Sequence, residues 1–253
     1  MIRVMVLVAQ LLLAGCASLM PDDTAERAEQ RVEVYTQLGL GYMSQNRLAS
    51  AQESLNQALA VNPNYSPANH AMALLMLRLG DPAGANKYFI SALESDPRNV
   101  AARNDYGAFL CDLEKWQEGA FHLEKALLDP FNIEVYVSQF GLGKCFLKAG
   151  DPVAARDQFR LALAAQPNNG AILYQSAVAS FTLGEYLSSR AFLERFFAVV
   201  PATAEGLLLA ARTETKLGAT DLAREYAARL REDFPASEQA AELQNIPTLN
   251  SNG

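Results

Sequence analysis

Tyr35-Thr36-Gln37-Leu38-Gly39-Leu40-Gly41-Tyr42, followed by Ala51, Leu55, Ala58 and Pro63, is the stretch on which the fold turns. Leu38 and Tyr42 lie one turn apart on the face of a first helix, and the small Gly39 beside them admits a second helix. Ala51, Leu55 and Ala58 stand at i, i+4 and i+7, the apolar stripe of that second helix. Pro63 ends it and sets the turn into whatever follows. A helical hairpin of this kind cannot hide its apolar faces alone, so it calls for neighbours of the same type.

The neighbours are present. Pro63, Pro97, Pro130, Pro167, Pro201 and Pro235 recur at intervals near 34, and most are preceded by an Ala-x3-[Phe/Leu]-x2-Ala core. The spacings match the tetratricopeptide pattern, with Tyr35 in place of its tryptophan. The fold class expected is therefore all-α, a tetratricopeptide-repeat right-handed superhelical solenoid of about six helix pairs with a short C-terminal capping helix. The six units are read at 32–65, 66–99, 100–133, 136–169, 170–203 and 204–237, with a cap and frayed tail over 238–253. Two extra residues separate the third unit from the fourth, which predicts a longer loop around Phe131 to Val135. Gly80-Asp81-Pro82 and Gly150-Asp151-Pro152 recur as internal turns: glycine takes φ > 0, aspartate caps the next helix, and proline suits its first turn.

Before the first unit, Arg3 is followed by an apolar run, Val4 to Leu13, too short to span a bilayer. It ends in Leu13-Ala14-Gly15-Cys16, which resembles the bacterial lipobox. That resemblance implies a lipoprotein signal peptide over 1–15, acylation of Cys16, and a mature chain anchored through it; several acyl chains make a stable anchor where one is marginal. Ala17, where aspartate marks inner-membrane retention, points to the outer membrane. Residues 16–31 are read as the lipidated N-terminus and a polar tether.

The 253 residues are half hydrophobic with a net charge of −7. No run of Lys/Arg exists to meet a phosphate backbone, so no nucleic-acid partner is expected. No catalytic residue, cofactor site, metal site or small-molecule substrate is expected either. The two histidines, His70 and His122, lack metal-ligand spacing, and Gly141-Leu142-Gly143-Lys144 lacks the strand-to-helix context of a phosphate loop. Cys111 and Cys145 fall in the first helices of adjacent repeats at different repeat positions. This reads as two small buried side chains rather than a bridge, because the Cα approach a disulfide needs is not expected between unlike positions.

What remains is the inner wall that first helices line in this fold. Leu40, Met43, Leu74, Leu77, Phe140 and Tyr174 are placed there, an apolar set that a soluble solenoid does not need and that marks a protein contact. Only Asn104 matches the Lys/Asn set of a carboxylate clamp, so that recognition mode is not expected.

Asn104-Asp105-Tyr106-Gly107-Ala108-Phe109-Leu110-Cys111, with Ala126-Leu127 and Asp129-Pro130-Phe131, resembles the PilF/PilW family of type IV pilus biogenesis lipoproteins, and the resemblance runs through essentially the whole chain. Glu134-Val135-Tyr136 departs from it. The resemblance implies a pilotin: a protein that travels to the periplasmic face of the outer membrane and helps the type IV pilus secretin localise and multimerise, hence pilus assembly and twitching motility. The alternative class is another outer-membrane tetratricopeptide lipoprotein, an adaptor in barrel assembly or for peptidoglycan enzymes. Composition and period do not choose between them.

Overall fold

A computed structural model describes residues 23–246 and Leu249, so Cys16 and the signal segment lie outside the described residues. Among the described residues the chain is helical with no strand, and it divides into two compact units, Met1–Ala102 and Arg103–Gly253.

The first unit holds α1 (Asp23–Ser44), α2 (Leu48–Val61), α3 (Ser66–Arg78), α4 (Pro82–Ser95) and the start of α5 (Val100–Asp112). Helix α1 packs on α2, α3 on α4, and α1 and α3 lie alongside each other. The second-helix stripe behaves as its spacing predicts: Ala51, Leu55 and Ala58 are fully buried. A methyl group on Gly39 would stand 2.6 Å from Leu55 Cγ, so only glycine allows α1 and α2 to come this close. The expected turn also forms. Gly80 has φ +74, and the Asp81 carboxylate accepts a hydrogen bond from Gly84 N at 2.9 Å.

One expectation for this unit is corrected, and one pattern residue meets water. Helix α1 begins at Asp23, inside the stretch read as a tether, because 23–31 is composed almost wholly of Ala, Glu, Gln, Arg, Asp and Thr, mostly good helix formers with acid near the N-terminus. Leu38 is not a core residue but 45% exposed. Its counterparts at the same repeat position, Met72, Tyr106, Leu142, Ser176 and Ala210, are all buried; Met72 lies on α3, which runs alongside α1. The first repeat has no predecessor among the described residues, so Val34, Leu38 and Gly41 form a shallow open face on α1.

The second unit continues α5 and adds α6 (Trp116–Leu127), α7 (Val135–Lys148), α8 (Pro152–Ala165), α9 (Gly170–Thr182), α10 (Tyr186–Val199), α11 (Ala204–Leu217), α12 (Thr220–Asp233), α13 (Glu238–Glu242) and a closing 3-10 turn, Leu243–Asn245. From α6 to α13 each helix packs on the next. Phe159, between Ala155 and Ala162 on α8, is fully buried; Gly143 of α7 lies against its ring so closely that any side chain there would overlap it. At the C-terminal end the expected cap is present, but the tail is not frayed throughout. Leu243 and Leu249 are buried against Leu207, Leu208, Ala223 and Leu230, and Arg231 donates to the Leu249 carbonyl at 2.9 Å.

Helices α10 and α11 are joined by a polar lock. Glu214 is 3% exposed and receives two hydrogen bonds from the guanidinium of Arg190, one of them at 2.8 Å from Nε. Beside it, the buried Ser189 hydroxyl meets Thr213 Oγ1 at 3.1 Å and donates to the Ala177 carbonyl at 3.0 Å.

Candidate functional site

In the first unit the four residues assigned to the inner wall do not behave alike. Leu40 and Leu77 are exposed and Leu74 is half-buried. Met43 is corrected: it is 5% exposed, a core residue with no side chain to offer a partner. Helix α3 alongside α1 accounts for this, since Arg78 near its end reaches back to donate to the Met43 carbonyl at 2.5 Å. Thr36 is likewise buried, its hydroxyl donating to Val32 O at 2.7 Å.

In the second unit Phe140 is half-buried, 6.0 Å from the Phe159 ring, and Tyr174 is half-buried, 5.6 Å from Phe196. Phe140, Val137, Ala108 and Leu123 line a cavity of about 180 Å³ between α5 and α7. Its edge is charged: Lys148 pairs with Asp112, and the Lys144 ammonium stands 5.8 Å from the Phe140 ring centre. At about 180 Å³ the hollow is smaller than the roughly 300–1,000 Å³ of small-molecule sites and is the size of a single side chain. Asn104 lines the same hollow, but its Oδ1 accepts from the Ser138 hydroxyl at 2.8 Å and is committed inside the fold. Among the described residues no group of three His, Cys, Asp or Glu is placed to hold a metal, and no helix is long and apolar enough to cross a membrane.

The floor of the hollow overturns the reading of the cysteines. Cys111 and Cys145 form a disulfide, with Cα atoms 5.4 Å apart. Unlike repeat positions are what makes it possible. Equivalent residues on successive, similarly oriented helices point the same way and never face each other. Cys111 is the twelfth residue of 100–133 and Cys145 the tenth of 136–169. Two residues of helix turn the side chain by about 200°, enough to aim one thiol forward and the other back.

The long loop expected between the third and fourth repeats exists, spanning 128–134, and Asn132 holds it. This side chain, 8% exposed, donates to the Ala126 carbonyl at 2.8 Å and to Ser138 Oγ at 2.9 Å, while its own oxygen accepts from Glu134 N at 3.0 Å. Asp129 accepts from Phe131 N at 2.9 Å. Sequence reading missed this display of Leu128, Phe131 and Ile133 to solvent; the signal was there in apolar residues occupying an insertion.

His122 of α6 is packed against Tyr106 and Phe121, with ring centres 4.7 and 5.5 Å away, and its Nδ1 is buried without a hydrogen-bond partner. Burial, and then the charge of Arg103, hold its pKa below the usual histidine value, against a smaller opposing pull from Glu118. The unfolded chain therefore takes up a proton that the folded chain resists, so this contribution is intact above about pH 6.5 and is lost as pH falls through the depressed folded value. Urea unfolding of the native chain and of His122→Phe at about pH 7.5 and about pH 5.5 tests this. The native chain should lose more stability on acidification than the variant; equal losses would refute the assignment.

Profiles for the tetratricopeptide repeat match residues 32–65, 70–133, 136–170 and 205–237, and the chain belongs to the tetratricopeptide-repeat proteins. Within that class it is homologous to the type IV pilus assembly protein PilF of Pseudomonas aeruginosa, 27% identical over 92% of this chain and 93% of that one. The solved structure of Pseudomonas aeruginosa PilF superposes with a TM-score of 0.77, covering 87% of this chain and 99% of that chain. That of PilW, described as a widely conserved type IV pilus biogenesis factor, gives 0.80 at 28% identity, covering 84% and 98%. Scaffold fold and pilus-biogenesis homology together point to a role in binding protein rather than in catalysis.

Proposed function

We propose that the chain is an outer-membrane lipoprotein pilotin, anchored through acylated Cys16 on the periplasmic side, that binds the type IV pilus secretin and promotes its localisation and multimerisation. The observation that carries this reading is homology to PilF along nearly the entire length of both chains, rather than over repeats alone. Two features support it. Leu13-Ala14-Gly15-Cys16 resembles a lipobox, and a disulfide between buried cysteines suits an oxidising compartment such as the periplasm.

Leu40, Leu74 and Leu77 are the contacts offered by the first unit, and Phe140 and Tyr174 those of the second. Apolar side chains left exposed or half-buried on first helices are available, within either unit, to an amphipathic segment of the secretin. In a strain lacking the native gene, Leu74→Ser/Leu77→Ser should restore folded protein but fewer secretin multimers in outer-membrane fractions, and Cys16→Ser should leave the protein outside those fractions. Undiminished multimers with the leucine variant would remove this groove from the proposal. Undiminished multimers in the deletion strain itself would remove the function.

A further inference from the structure

We infer that the loop 128–134 is a second docking point, a preformed knob that seats Phe131 and Ile133 in an apolar cleft rimmed by lysine or arginine on the secretin; this rests on the secretin reading above. The other loops between repeats, 62–65, 96–99, 166–169 and 200–203, have four residues each, and the first three are made mainly of Asn, Asp, Gln, Arg and Pro. The loop 128–134 has seven and puts apolar residues in the added space. Ile133 is 96% exposed, Leu128 77% and Phe131 66%.

Packing within the fold does not require this exposure. Asn132 anchors the loop inward through its side-chain bonds to Ala126 and Ser138, its backbone closing a turn on the Asp129 carbonyl at 3.0 Å. With Asn132 held inside, Phe131 and Ile133 on either side of it stand in solvent. Their backbone is already ordered by the hydrogen bonds of Asp129 and Asn132, so little conformational entropy remains to be lost when a partner binds. A rigid aromatic anchor with an aliphatic neighbour is the composition of an interface hot spot.

Charge selects the occupant. Asp129 and Glu134 flank the apolar pair, Glu124 lies one turn before on α6, and the whole chain carries −7. An anionic lipid surface is repelled by these carboxylates, and a second copy docking loop to loop would bring like charges together. A protein cleft with a basic rim satisfies both the apolar and the acidic groups.

The test is calorimetric titration of purified secretin with the full-length chain and with Phe131→Ser/Ile133→Ser, at low and moderate salt. The loop variant should bind at least ten-fold more weakly while unfolding at the same temperature, and Asp129→Asn/Glu134→Gln should flatten the salt dependence. If Phe131→Ser disturbs folding, Ile133→Ser alone carries the test, since that side chain has no burial to lose. Secretin affinity unchanged in the loop variant overturns the inference and leaves the pilotin reading standing; no secretin binding by the native chain removes both. Sedimentation without secretin, and retention of Cys16→Ser chains on phosphatidylethanolamine/phosphatidylglycerol vesicles, cover the other occupants. A loop-dependent difference in either, with secretin affinity unchanged, also overturns it.

Discussion

Replacing Cys111 and Cys145 together by alanine should lower stability by about 4 kcal/mol, or the unfolding temperature by roughly 10 °C. The bridge closes a separation of 34 residues, and the figure is the chain entropy that such a cross-link removes from the unfolded state. The position makes the loss local. The two sulfurs join α5 to α7 and pass over α6, whose Gly119 lies directly against Cys111. Thermal melts with and without reductant separate the bridge from packing. Reductant should lower the native midpoint towards that of the variant and leave the variant where it is. A native chain indifferent to reductant, once its thiols are shown to be free, would mean that the bridge contributes nothing to stability.

The second large effect is expected at Arg190. Its replacement by alanine leaves the Glu214 carboxylate, 3% exposed, with no counter-charge and without its two guanidinium hydrogen bonds. Glu214 is buried but the Arg190 side chain is 30% exposed, so water can reach part of the vacated site and the cost falls at the lower end for a buried pair, on the order of 3 kcal/mol, still well above an exposed surface pair. The loss reflects an orphaned charge rather than the net value of the pair. Arg190→Met/Glu214→Leu should therefore recover most of the stability, because two apolar side chains of similar size leave nothing buried and unpaired. Chemical unfolding of the single and double variants closes the cycle. A double variant as unstable as Arg190→Ala would show that packing of α10 on α11, not charge, holds this junction.

Most of the fold was legible because its rule is local. Ala51, Leu55 and Ala58, the Gly80-Asp81-Pro82 turn and the recurring prolines each state a helix face or a helix end within a few residues, and the chain repeats the statement. The errors fall where a residue's fate depends on what stands next to it. Leu38 satisfies the pattern yet meets water, while Met72 at the same repeat position is buried. Met43 and Leu77 also share a repeat position, and one is core while the other is exposed. Burial at a repeat position belongs to the neighbouring repeat as much as to the residue, and the period is silent about neighbours at the ends.

The candidate contacts divide in the same way. Phe140 was identified from its place on a first helix, but only packing showed the hollow beneath it, floored by sulfur and edged by Lys144 and Lys148. The loop at Phe131 is legible in the sequence as an insertion but not as a display, because the deciding residue, Asn132, is polar and its burial is decided by Ser138 and Ala126.

By itself the sequence determined that this chain is a stack of helical hairpins and where most of its helices turn into the next: short-range spacing carries that. The tertiary structure alone decided that Cys111 reaches Cys145, that Glu214 is locked by Arg190, and which apolar residues remain in water. Those depend on how one helix is turned against the next, and a rotation between neighbours leaves no trace in the period of either.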